Sequence, residues 1–133
     1  MRYLKEEDLQ TCSRFLFLSM AIIVMEQDIR SIEKGNFKIK EPYLELLRKM
    51  EHMARAERKQ LQVIMRKRKL DVVFLQKNDT FSTYMFTGNG YEEEKRYFNP
   101  AVRKKVQGIL YELMHRVLRP SRSPAANGTA DAR

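Results

Sequence analysis

The apolar run Phe15–Met25 constrains the fold more than any other feature of this sequence. Its residues are all apolar except Ser19, and as an α-helix they would present apolar side chains on nearly every face. A helix of this kind must be covered on more than one side to be stable in water. We therefore predict that either the rest of the fold wraps around this helix or a second copy of the chain covers it.

The length of the chain fits one such core. With 133 residues, 43% hydrophobic and 32% charged, it falls within the range of a single globular domain, which we place at residues 1–119. Residues 120–133 contain no large apolar side chain, and this composition predicts a disordered tail. The composition excludes a collagen-like or low-complexity chain. A lone cysteine, Cys12, excludes an internal disulfide framework.

The N-terminal region has neither a secretory signal nor a clear membrane span. Three acids, Glu6, Glu7 and Asp8, precede the apolar run, and no small-residue cleavage site follows it. As a helix, the run would rise roughly 16 Å, whereas the apolar core of a bilayer is about 30 Å thick. We therefore expect a soluble, cytoplasmic protein that has no membrane partner.

Two long helices are predicted in the first half of the chain. Residues 5–34 form the first, with acids at its start and Gly35 as its stop signal. Pro42 suits the first turn of the second helix, where the amide that proline lacks has no helical partner, and apolar periodicity continues to residue 69. The two helices should pack as an antiparallel hairpin. A break near Ala54 would instead give two shorter helices and an order close to a winged helix-turn-helix.

The second half of the chain changes from helix to strand and back to helix. Residues 72–75 and 81–86 are rich in strand formers, and the turn signal between them predicts a β-hairpin. Residues 91–98 fit either a third strand or an irregular connection. Asn99-Pro100 combines a capping residue with a proline at the first helical position and begins a third helix. The fold class is therefore α+β, mainly α: a long antiparallel helical hairpin, then a β-hairpin and a C-terminal helix.

Positive charge is concentrated on the second predicted helix. The chain carries 26 Lys and Arg against 17 Asp and Glu, a net charge of +9, and most of this excess lies in residues 48–69. Polar and basic residues recur there at alternating steps of four and three, which places them along one helix face roughly 30 Å long. We call this set the basic stripe: Arg48, His52, Arg55, Lys59, Gln62, Arg66 and Lys69.

A row of cations of this length fits a polyanion, because lysine and arginine can neutralise successive phosphates and release counterions. On this ground we predict a nucleic-acid-binding surface, for DNA or RNA, with transcription regulation as one use. It includes further basic residues on the second and third helices: Lys67, Arg68, Arg103, Lys104 and Lys105. Two alternatives remain open: the charge only solvates an outer helix face, or it meets an acidic protein or membrane surface.

No arrangement of side chains predicts catalysis, a metal site or a cofactor. His52 and His115 lie far apart and in no metal-ligand spacing. Cys12 precedes the apolar run, which favours a buried structural thiol over a reactive one. Segment 88–90 resembles part of a glycine-rich phosphate loop, but it lacks the lysine and hydroxyl residue of that motif, so a simple turn is favoured. We expect a protein that is not an enzyme.

A helical adaptor is the second function class that the sequence supports. Methionine suits adaptable partner surfaces, and several methionines lie in the predicted helical hairpin, so another protein could bind through this apolar, Met-rich surface. For either function, the apolar first helix predicts a homodimer through residues 9–32. The aromatic residues of the β-hairpin are expected in the core, although exposed ones would stack on unpaired bases. These are Phe74, Phe81, Tyr84 and Phe86.

Overall fold

The computed structural model describes residues 4–119 and consists of three helices and one sheet. The helices are α1 (Glu6–Lys34), α2 (Glu41–Arg68) and α3 (Asn99–Leu118), and the strands are β1 (Leu70–Lys77), β2 (Phe81–Gly88) and β3 (Tyr91–Phe98). The predicted α+β, mainly α class is confirmed, as are the helical hairpin, the β-hairpin and the C-terminal helix. The ambiguous segment is a third strand. The predicted tail, residues 120–133, lies outside the described residues.

The apolar run of α1 is covered within the single chain. α2, α3 and the sheet all pack against α1, and Cys12, Leu18, Ala21 and Met25 have no exposed surface. Ile23 is the exception, with 54% of its surface exposed. The rest of the fold therefore provides the cover that the sequence demands. A homodimer through residues 9–32 is not needed to bury these side chains, and it stays a prediction.

α1 is also, among the described residues, the one helix whose length and composition would allow it to cross a membrane. The central helix of a soluble core meets the same criterion, and much of α1 is buried inside the molecule. This finding therefore carries no conclusion about a membrane or a cellular location.

α2 is one continuous helix of 28 residues with Pro42 in its first turn. Ala54, where a break was considered, has no exposed surface and belongs to the core that α1 and α2 share. A side chain this small lets the two helix backbones approach each other closely at this point. The alternative of two shorter helices in a winged helix-turn-helix order is therefore wrong.

The three strands form an antiparallel meander in the order β1-β2-β3. Asn78 shapes the first turn, because its side-chain oxygen accepts hydrogen bonds from the amides of Thr80 and Phe81. Asn89 and Gly90 form the second turn with φ angles of 53° and 82°, as two-residue hairpin turns of the primed type require. The simple turn predicted for segment 88–90 is thus confirmed.

Asn99 does not cap α3, contrary to the sequence prediction. The capping position is Phe98, and Asn99 is the first helical residue. Its amide side chain instead donates to the carbonyl oxygen of Asn78 at 2.8 Å and accepts from the Ser82 hydroxyl at 2.6 Å. A local pattern cannot reveal these distant partners. They tie the start of α3 to the β1–β2 turn.

An ion cluster joins all three helices at their centre. The Arg14 guanidinium of α1 donates to both carboxylate oxygens of Glu57 on α2, at 2.7 and 3.0 Å, and to both oxygens of Glu112 on α3, at 3.1 Å each. Arg116 adds a second cation beside the same two acids. The hydrogen bonds from Arg14 lower the pKa of Glu112 and raise that of Arg14 itself.

Candidate nucleic-acid interface

The basic stripe lies on the outer side of α2, as a single continuous helix requires. Six of its seven residues are exposed, and Gln62 is half-buried. Lys69 follows the last helical residue and takes a left-handed conformation with φ 57°. The predicted row therefore exists as a surface feature. Its residues differ, however, in whether their charges are already paired.

Two cations of the stripe are held by carboxylates. Arg48 donates to Glu33 of α1 at 2.7 Å, and Arg55 binds both Glu26 of α1 and Glu51 of α2. The hydrogen bond to Glu51 is the largest cause of the raised pKa of Arg55. A phosphate would have to compete with these acids, so the N-terminal half of the stripe is a weak site for a polyanion.

Arg68, which was predicted to bind nucleic acid, is also engaged inside the fold. Its Nε donates to Asp8 Oδ1 at 2.5 Å, and the Asp8 side chain is only 3% exposed. This hydrogen bond raises the pKa of Arg68. A buried carboxylate needs such a partner, because an unpaired charge in the interior is costly. Arg68 therefore closes the end of the helical hairpin.

Three basic residues in the second half of α2, together with Lys69 directly after it, form a group that we call the basic patch. Its four side chains are exposed, and none has a carboxylate within 4.0 Å in the part of the chain that the structure describes. Residues 58–69 contain no acid at all, although the acidic start of α1 lies alongside Arg68. The basic patch consists of Lys59, Arg66, Lys67 and Lys69.

The second predicted basic cluster lies on a different helix from the basic patch. Arg103, Lys104 and Lys105 are exposed near the start of α3, which follows β3, whereas the basic patch leads into β1. β1 and β3 are the opposite edges of the sheet. The Lys105 ammonium lies 5.6 Å from the centre of the Phe17 ring of α1. The two clusters therefore belong to different elements of the fold.

The other residues considered for chemistry do not gather into a site. Cys12 is buried, as predicted, and burial raises the pKa of its thiol to about 11. His52 is exposed on α2, while His115 of α3 stacks on Tyr111 with ring centres 6.4 Å apart. Within residues 4–119, no group of three or more His, Cys, Asp or Glu side chains could hold a metal ion.

The aromatic residues of the sheet divide between core and surface. Phe86 has no exposed surface, and Tyr84 and Phe81 are half-buried. Phe74 on β1 is 56% exposed, with one edge against Tyr84 at 5.6 Å between ring centres. The core prediction therefore fails for Phe74, because the outer half of β1 extends beyond the helices that cover its beginning.

The fold and surface define a small α+β protein with a basic patch on one long helix. The family model described as "YhjD protein" matches residues 3–118, so the chain belongs to the YhjD family. It is similar to the protein named "Uncharacterized protein YhjD" of Bacillus subtilis (strain 168), with 36% identity over 110 residues, 83% of this chain and 92% of the relative. No solved structure matches this chain.

Proposed function

We propose that this protein binds nucleic acid through the basic patch of α2. The observation that carries the proposal is the set of four exposed cations, Lys59, Arg66, Lys67 and Lys69, that have no carboxylate partner within the described residues. Cations that are already paired gain little from a phosphate, whereas unpaired ones release condensed counterions when they bind. The proposed site is thus smaller than the predicted surface, because it omits Arg48, Arg55 and Arg68, whose charges are paired with carboxylates.

The size of the basic patch matches a short stretch of nucleic-acid backbone. Lys69 follows Lys59 by ten positions, and at about 1.5 Å per helical residue this span is roughly 15 Å. One strand of duplex DNA has a phosphate about every 3.4 Å along the axis, so the span covers about four of them. The number of cations in the basic patch therefore matches the number of phosphates along the same length of strand.

Phe74 adds a feature that favours unpaired bases. Its exposed ring lies on β1, which begins directly after Lys69. An exposed aromatic ring beside a basic surface can stack on a base while the cations hold the backbone. We therefore expect single-stranded nucleic acid to bind at least as tightly as a duplex. This activity is compatible with a role in transcription regulation and with a cytoplasmic location.

The test compares two charge reversals of equal size on different helices. The double change Lys59→Glu, Arg66→Glu alters the basic patch, and Arg103→Glu, Lys104→Glu makes the same change in net charge on α3. Fluorescence anisotropy with labelled single-stranded and duplex oligonucleotides at low salt should show at least about tenfold weaker binding for the α2 variant only. An equal loss in both variants would mean that only net charge matters, and this would refute a defined interface.

An adaptor that binds another protein is the second candidate. The methionines that suggested it are largely internal: Met25, Met50 and Met65 are buried. The exposed apolar surface lies elsewhere, on Val73, Phe74 and Leu75 of the edge strand β1. Three consecutive exposed apolar residues on a sheet edge are a feature of partner-binding strands. If no oligonucleotide binds, β1 is the surface from which to seek a protein partner.

A further inference from the structure

A groove of about 520 Å³ lies between α1, α3 and the inner face of the sheet. The apolar side chains that line it with accessible surface are Leu9 of α1 and Tyr97 of β3, which are half-buried; Phe17, Phe86 and Ile109 form its floor and are at most 7% exposed. The Tyr97 and Phe17 rings pack edge to face at 5.1 Å between their centres. Volumes of this size are typical of small-molecule sites.

The groove stays open because two small residues face it from the helices. Ser13 lies on α1, and Gly108 lies in the interior of α3. A Cβ atom added at Gly108 would meet no atom within 4 Å, so packing within the described chain does not require glycine there. Glycine in a helix interior costs about 1 kcal/mol relative to alanine. A need to keep this position clear for a ligand would explain why glycine stands there.

Most charges around the groove are already neutralised. Arg14 is bound to Glu57 and Glu112, so neither it nor Glu112 is available to a ligand. Lys95 lies 3.1 Å from one oxygen of Glu93, and the other Glu93 oxygen is buried without a hydrogen-bond partner in the described structure. Lys95 therefore balances the charge of Glu93 and is not available to a ligand.

Two charges of the groove have no oppositely charged partner among the residues that the structure describes, and they lie near opposite ends of the groove. Lys105 of α3 has no carboxylate within 4.0 Å among residues 4–119, and its ammonium lies over the Phe17 ring. Glu6 of α1 lines the groove as well and accepts a hydrogen bond from Gln10. Along α1, Glu6 and Phe17 are roughly 16 Å apart. An anionic group is thus attracted at the Lys105 end and repelled at the Glu6 end.

We propose that this groove binds a small amphipathic anion, with its carboxylate at Lys105 and its apolar body against Leu9 and Tyr97. The ligand class is a carboxylate joined to an aromatic or aliphatic group that the groove can bury. Gly108 provides the space for that body. This site is separate from the basic patch on α2, and its occupation does not depend on nucleic-acid binding.

The experiment uses the whole chain and the fluorescent aromatic sulfonate 1-anilinonaphthalene-8-sulfonate as a probe. Its emission should shift to the blue and saturate at one probe per chain. Gly108→Leu fills the groove, and Lys105→Glu reverses its free charge; each should weaken probe binding about tenfold or more. Lys59→Glu, an equal charge change in the basic patch, is the matched control and should leave probe binding unchanged.

Displacement of the probe tests the preferred charge of the ligand. Decanoate should displace it, whereas decyltrimethylammonium, which has a chain of the same length and the opposite charge, should not at equal concentration. Circular dichroism checks that both variants fold; Lys105 is exposed, so its variant keeps the test valid if Gly108→Leu is unstable. Unchanged probe binding in Lys105→Glu, or equal displacement by the two amphiphiles, would overturn the proposal.

Discussion

Replacing Arg14 with methionine should destabilise the protein by about 2 kcal/mol, because it removes the centre of the three-helix ion cluster. Arg14 makes four hydrogen bonds to Glu57 and Glu112. The Glu57 and Glu112 side chains are 24% and 41% exposed. Loss of one partner of a fully buried pair costs about 3–5 kcal/mol. Partial exposure screens the two acids that remain, and Arg116 compensates them in part, which gives the lower figure.

The cost of this substitution should depend on pH in a defined direction. Arg14 lowers the pKa of Glu112 in the folded protein, so the stability that this contact contributes is present above the unfolded pKa of about 4.3. It is lost as the pH falls through the lower folded pKa. The difference in the free energy of unfolding between wild type and Arg14→Met should therefore have its whole value at neutral pH and be smaller at about pH 3.

Urea denaturation followed by circular dichroism at both pH values measures this difference. The matched control is Arg48→Met, which removes an exposed ion pair with Glu33 and should cost less than about 0.5 kcal/mol. If Arg14→Met costs no more than this control at neutral pH, or if its cost is the same at low pH, the cluster does not hold the helices together as described.

Two further substitutions and one labelling reaction test the packing of the core and of the helices. Gly108→Ala should raise stability by about 0.5–1 kcal/mol, or roughly 4 °C in melting temperature, since its methyl group meets no neighbouring atom; a lower melting temperature would contradict this. Cys12, buried and with its pKa raised to about 11, should react with a disulfide reagent only in denaturant, and rapid labelling of the native protein would show otherwise. Ala54→Leu should lower the free energy of unfolding by about 1–3 kcal/mol, because the position is fully buried between α1 and α2; an unchanged urea midpoint would argue against tight helix packing there.

Features that depend on local pattern could be predicted from the sequence. The apolar run predicted a central helix, Pro42 and Gly35 marked helix ends, and the turn signal at Asn78 located the first β-hairpin. The third strand remained ambiguous because Tyr91–Phe98 lacks apolar–polar alternation, with five consecutive charged residues between its aromatic ends, and its pairing with β2 decides its conformation. Asn99 failed as a predicted cap for a similar reason, since its partners are distant in sequence.

The position of the candidate site could be predicted from the sequence, but the ion pairing of its cations could not. Helical spacing alone placed the basic stripe on one exposed face of α2. It could not show which cations are paired, because their partners Asp8, Glu26 and Glu33 come from α1 and depend on the register of the hairpin. The predicted antiparallel hairpin contained a usable signal for Arg68, because acids early in α1 must then lie near cations late in α2. The groove is lined by residues of four elements, α1, β2, β3 and α3, and has no local signature in the sequence.

The salt dependence of oligonucleotide binding tests the central claim most directly, that unpaired cations of α2 contact successive phosphates. With about four contacts, the logarithm of the affinity for duplex should fall with the logarithm of salt concentration at a slope near −3.6. Removing two of them in Lys59→Ala, Arg66→Ala should reduce the slope to about −1.8. A slope that is the same in the wild type and this variant would contradict the claim, because those cations would then contact no phosphate.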